Sequence, residues 1–171
     1  DSLVNERGVK YGVQPAYTME DLNALFDLYV LNKDSVGINA ATAKYAEMYA
    51  DSSEYFYEAQ CLEMMGAFNA AEKAYIRHLN YYCCPGYWSY IRLAWLYRVD
   101  LNQPEKALEY TIMGFNALQD PRFLQELEKL AKTNTAMHKK VLVALKKLKG
   151  NNTETKLLLQ LDECIRRLTS A

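Results

Sequence analysis

The chain has 171 residues, half of them hydrophobic, with 20 Lys and Arg against 21 Asp and Glu. That is enough apolar material for one domain or a short repeat array to fold without a metal or disulfide staple. A net charge of −1 excludes a whole-molecule field that would draw the chain to nucleic acid or to an anionic membrane.

The longest apolar stretches are broken by charge before reaching bilayer length, and the start shows no basic-then-apolar signal segment. Cys61, Cys83, Cys84 and Cys164 form no evenly spaced framework, so they read as reduced thiols and favour a cytoplasmic setting.

Residues 1–17, with Gly8, Gly12 and Pro15 and no sustained period, read as an irregular lead-in. Thr18 with Asp21 looks like a helix start, and Leu22, Leu25, Phe26 and Tyr29 follow at the spacing of one buried helix face. A second helix is predicted over Val36–Tyr49. Asp51, Ser52 and Ser53 offer caps for a third, ending near Gly66, and a fourth runs over 67–81. Pro85 opens the fifth, with Tyr90, Leu93, Ala94 and Tyr97 on one face. The turn from Asp100 to Pro104 leads into a sixth, which holds Ala107, Tyr110 and Gly114. Asp120-Pro121 starts the seventh and residues 134–148 form the eighth. Gly150-Asn151-Asn152 precedes a ninth with Leu158, Leu161, Ile165 and Leu168 on one side. Nothing in this pattern predicts a strand.

Leu28, Leu62, Leu96 and Leu130 recur every 34 residues, each in the first helix of a pair. Residues 52–85 resemble a tetratricopeptide repeat, with Tyr55, Ala59, Leu62, Gly66, Phe68, Ala71 and Tyr75 standing at that family's signature positions. Residues 87–121 are similar, with Tyr90, Leu93, Ala94, Tyr97, Ala107, Gly114 and Pro121, once an extra residue or two is allowed around Asn102. Glu58 and His78 depart from the pattern, where the family places a large apolar and a small residue. Residues 18–51 match in helix spacing alone.

The resemblance implies an all-α fold: a right-handed superhelix of antiparallel helix hairpins over residues 18–121, best matched over 52–121. Residues 122–171 would supply a C-terminal hairpin and capping helix. It further implies a non-catalytic scaffold that binds a protein or peptide partner in its concave groove, with no cofactor. The alternatives are the repeat portion of a larger enzyme or assembly, and a contact to an acidic ligand, RNA or membrane through a lysine-rich helix.

Chemistry-bearing motifs are sparse. There is no GxxxxGKS/T phosphate loop and no GxGxxG turn, and two histidines, His78 and His138, give little material for a catalytic group or a metal centre. His78 with Cys83 and Cys84 is the sole grouping with metal-ligand chemistry, and it lacks a second cysteine pair at zinc spacing. Lys132, Lys139, Lys140, Lys146 and Lys147 make a basic face on the eighth helix, without aromatic or arginine residues to stack on bases.

In the resembled family the first helix of each pair lines the concave wall. Carried over, this gives Ser53, Phe56, Gln60 and Glu63 from one repeat and Trp88, Ile91, Trp95 and Arg98 from the next. Helical spacing independently puts Trp88, Arg92 and Trp95 on one face, away from Tyr90, Ala94 and Tyr97. The expected partner-binding set is therefore Phe56, Gln60, Trp88, Ile91, Arg92, Trp95 and Arg98. The lysines and asparagines with which some members grip a peptide carboxylate are largely missing. An apolar or aromatic segment is expected instead, basic at one end because Glu20, Asp27 and Glu63 would line the earlier repeats.

Overall fold

A computed structural model describes residues 19–48 and 54–170. The lead-in over 1–17, Thr18 as a cap, the caps from Asp51 to Ser53 and the side chains of Glu20, Asp21 and Leu22 lie outside the described residues and side chains. Among the described residues the chain is all-helical. Its elements are α1 Met19–Leu31, α2 Ser35–Met48, α3 Glu54–Met64, α4 Phe68–Tyr81, α5 Tyr87–Trp95, a π-helical turn Leu96–Asp100, α6 Pro104–Leu118, α7 Arg122–Ala131, α8 Thr135–Gly150 and α9 Thr155–Thr169. No described helix is long and apolar enough to cross a membrane. The chain divides between Cys83 and Cys84 into two compact units, inside the stretch 18–121 expected to form one array.

In the N-terminal unit α1 and α3 each stop where a residue adopts the left-handed conformation. Gly66 (φ 77°) ends α3: its N–H donates to Glu63 O and that of Ala67 to Leu62 O, the paired bonds of a Schellman motif. Lys33 (φ 53°) plays the same part after α1, with Asp34 N–H donating to Tyr29 O. Helices α3 and α4 pack as an antiparallel hairpin. Ala59, Leu62, Ala71, Ala74 and Tyr75 are buried between them, and the Tyr75 hydroxyl donates to Glu63 Oε2 at 2.6 Å. Small residues bring the backbones close and the tyrosine fills the remaining space.

Two positions in this unit differ from expectation. Glu58 is buried and bound to Arg77 at 2.8 Å, and Arg77 also lies over the Tyr55 ring, so an ion pair replaces the expected apolar contact. Leu28, first of the 34-residue ladder, is half exposed, whereas Leu62, Leu96 and Leu130 are buried. The buried face of α1 runs instead through Phe26, because Leu25 and Tyr29 flank it while Leu28 turns outward.

The C-terminal unit alternates helix directions in a repeat-like order. Tyr97 stacks on Tyr110 at 5.4 Å across the antiparallel pair α5–α6. Alternate helices also touch: Lys140 of α8 reaches Glu105 of α6, and Arg167 of α9 reaches Glu128 of α7. Pro104 occupies the first turn of α6, where its missing N–H costs nothing, and Asn134 caps α8 by accepting from Met137 N at 2.8 Å. The extra length expected around Asn102 is taken up by the π-helical turn at the end of α5 and by Asn102 itself at φ 50°. Helix α9 buries Leu157, Leu161, Cys164 and Leu168 and turns Lys156, Asp162, Arg166 and Arg167 outward, together with an exposed Leu159.

The cysteines separate by burial. Cys83 and Cys84 are exposed; burial pushes the Cys61 thiol up to about 11, aided by the Asp27 and Glu58 carboxylates, and Cys164 up to about 12, aided by Glu128. With a chromogenic disulfide reagent at pH 8, Cys83 and Cys84 are expected to react at once and the other two only on unfolding, because the thiolate is the nucleophile. Folded Cys61 and Cys164 keep protons that the unfolded chain loses near 9. Their contribution to stability is therefore fully present below that pH and declines as pH rises toward the folded values. Urea denaturation at pH 8 and pH 10 should show this decline, and it should shrink in a Cys61→Ala/Cys164→Ala chain.

Candidate binding face on the C-terminal unit

Helix α5 sets Trp88, Arg92 and Trp95 along one side, at steps of four and three residues. The opposite side is buried through Ser89, Tyr90, Ile91, Leu93 and Ala94, an arc of roughly 200° at 100° per residue. Trp88 is 54% exposed, and its ring meets Trp95 edge-on, centroids 5.9 Å apart and planes at 78°. The two indoles form an L-shaped aromatic surface.

Trp95 is held from behind. Its Nε1 donates to Glu126 Oε2 at 2.8 Å, and Lys129 Nζ donates to the other carboxylate oxygen, Oε1, at 2.6 Å. Glu126 is buried and accepts both bonds on its charged carboxylate, while Lys129 itself is half exposed. Arg92 and Lys129 lie 5.9 and 6.0 Å from the Trp95 ring centroid. Tyr87 extends the surface: its ring rests on buried Phe123 at 4.9 Å, and Arg122 lies 4.1 Å from its centroid. Asp120 grips Arg122 with both carboxylate oxygens, which holds its own pKa below the usual carboxylate range. Burial, then the Glu126 charge, raises the Tyr87 phenol, with Arg122 opposing, so the hydroxyl stays protonated at neutral pH. The face is an aromatic surface bordered by arginine and lysine.

The expected set is thus divided. Trp88, Arg92 and Trp95 come together as their spacing predicts. Ile91 does not belong with them: it is fully buried, since the covered arc of α5 is wider than one helix stripe, and a side chain with no exposed surface cannot touch a partner. Arg98 sits half-buried in the π-helical turn, whose wider winding removes it from the register that three-residue spacing from Trp95 would give. Phe56 and Gln60, half-buried on α3, belong to the N-terminal unit. The Phe56 ring packs against Tyr75 and His78 at 5.7 and 5.2 Å within that unit and keeps part of its surface exposed. Ser53 lies outside the described residues.

His78 is buried between Phe56 and Tyr82. Among the described residues no three His, Cys, Asp or Glu side chains converge as a metal site. Lys139, Lys140, Lys146 and Lys147 are exposed on α8, with Lys140 bound to Glu105 at 3.0 Å, and Lys132 is exposed just after α7.

Sequence reasoning missed Glu126, Lys129, Tyr87 and Arg122. One signal was available: Glu126 interrupts the apolar stripe of Phe123, Leu124, Leu127 and Leu130, and an acid in such a stripe needs a buried partner. Compared with models of known protein families, with curated proteins and with solved structures, the chain finds no match.

Proposed function

We propose that the chain is a non-catalytic protein-binding module, its hairpins wound as a tetratricopeptide-like right-handed superhelix, and that the α5 face receives a segment of a partner protein. The observation that carries this is the exposed Trp88 seated against Trp95, whose indole N–H is bound to Glu126. A large side chain fixed in advance loses little entropy on binding, and tryptophan and arginine dominate binding energy at protein interfaces. An apolar or aromatic residue of the partner fits the angle between the indoles.

The flanks of that partner segment follow from the charge of the unit that bears the face. Residues 1–83 hold six basic and twelve acidic side chains, net −6, and residues 84–171 hold fourteen and nine, net +5. Glu20, Asp27 and Glu63, from which a basic-ended segment is expected, all fall in the acidic unit. Arg92 and Lys129 lie beside Trp95 and Arg122 beside Tyr87, so acidic flanks are preferred. Selection of displayed random peptides on the full chain tests the reading. The expected result is enrichment of an apolar or aromatic residue with neighbouring Asp or Glu, suppressed by Trp88→Ala. Enrichment of basic peptides, or of peptides indifferent to Trp88→Ala, contradicts it.

A further inference from the structure

The geometry of α8 points to a second docking surface, a lysine-bordered stripe that takes an acidic helix of a protein partner. On the exposed side of this helix Val143 stands 68% exposed, with Ala136 two turns before it. At 100° per residue Lys139 and Lys146 fall on one flank of that line and Lys140 and Lys147 on the other. Along each flank the two lysine positions are seven residues, or about 10.5 Å of helix rise, apart. That is the repeat with which a second helix presents side chains to a neighbour.

Folding alone does not account for this pattern. Lysines in the last turn, Lys147 and Lys149, complement the helix dipole, but Lys139 and Lys140 lie in the first half, where positive charge gains nothing from it. The 16 residues of α8 contain no acid, so no lysine there has an opposite charge three or four residues away on its own helix. Lys140 is matched by Glu105 and Lys149 by Asp162. Lys139, Lys146 and Lys147 make no ion pair among the described residues, in a unit of net charge +5. A helix with glutamates on both sides of a small apolar line complements all of these features at once. The stripe has no arginine or aromatic residue for stacking on bases, and one exposed valine is too little apolar surface to enter a lipid layer.

The test uses the full chain and a labelled synthetic helix of about six turns, with glutamates seven residues apart on both sides of an alanine and leucine line. A scrambled peptide of equal composition, phosphatidylserine vesicles and a single-stranded oligouridine serve as competitors. The designed helix is expected to bind at least about tenfold more tightly than the scrambled peptide. Lys139→Glu/Lys146→Glu/Lys147→Glu should lose that binding with helicity unchanged and regain it with a peptide carrying lysine for glutamate. Equal binding of the scrambled peptide, no recovery on charge exchange, no binding of the designed helix, or binding confined to vesicles or RNA would each overturn the assignment.

Discussion

Gly114→Ala is expected to destabilise the C-terminal unit by about 1–3 kcal/mol, the range of overpacking in a closed core. Helix propensity alone gives the opposite sign, since alanine is favoured over glycine within a helix by about 1 kcal/mol. The structure decides between them. A Cβ at position 114 would stand 2.5 Å from the Phe123 ring and 2.8 Å from Tyr90 Cβ, and both neighbours are buried. Phe123 cannot retreat, because Tyr87 closes on it from α5. Phe123→Ala alone should cost about 3–5 kcal/mol through the cavity it leaves. In that background the added methyl has room, so the double variant should be more stable than the sum of the single effects predicts. Urea denaturation of the four chains checks this; a Gly114→Ala chain more stable than the parent would show that α6 does not approach α5 and α7 so closely.

Glu126→Ala has the next largest expected effect, about 2–3 kcal/mol, because hydrogen bonds to a charged group contribute about 1.5–3 kcal/mol and two donors lose their acceptor. Glu126→Gln still accepts from Trp95 and forfeits mainly the Lys129 charge, which is exposed at its far end, so a loss of about 1 kcal/mol is expected. Thermal melts followed by tryptophan emission give both quantities. Equal losses for Ala and Gln would mean that the Trp95 hydrogen bond adds nothing.

The helices were legible because their ends carry strong local chemistry. Gly66, Pro104, Asp120-Pro121 and Asn134 each break or start a helix for reasons confined to a few neighbouring residues, and the predicted segments match the observed ones to within a residue or two. Small residues at Ala59, Ala71, Ala94 and Ala107 mark close approach, and all four are buried. The Trp88, Arg92 and Trp95 face was legible for the same reason, since helical spacing is a local property. Glu126 was not, because its bond to Trp95 joins residues 31 apart and depends on how α7 lies beside α5. Ile91 misled because a stripe argument assumes one buried face, while α5 is covered over most of its circumference. The half-exposed Leu28 shows that a 34-residue recurrence marks register and not burial.

The account rests most heavily on Trp88 as an exposed anchor whose loss leaves the fold intact. The most direct measurement is the affinity of a selected acidic-aromatic peptide for the parent chain and for Trp88→Ala, with helicity and melting compared for both. A loss of roughly 30-fold, about 2 kcal/mol, with unchanged helicity is the predicted result. Equal affinity in the two chains would contradict the account and remove the α5 face as the binding surface.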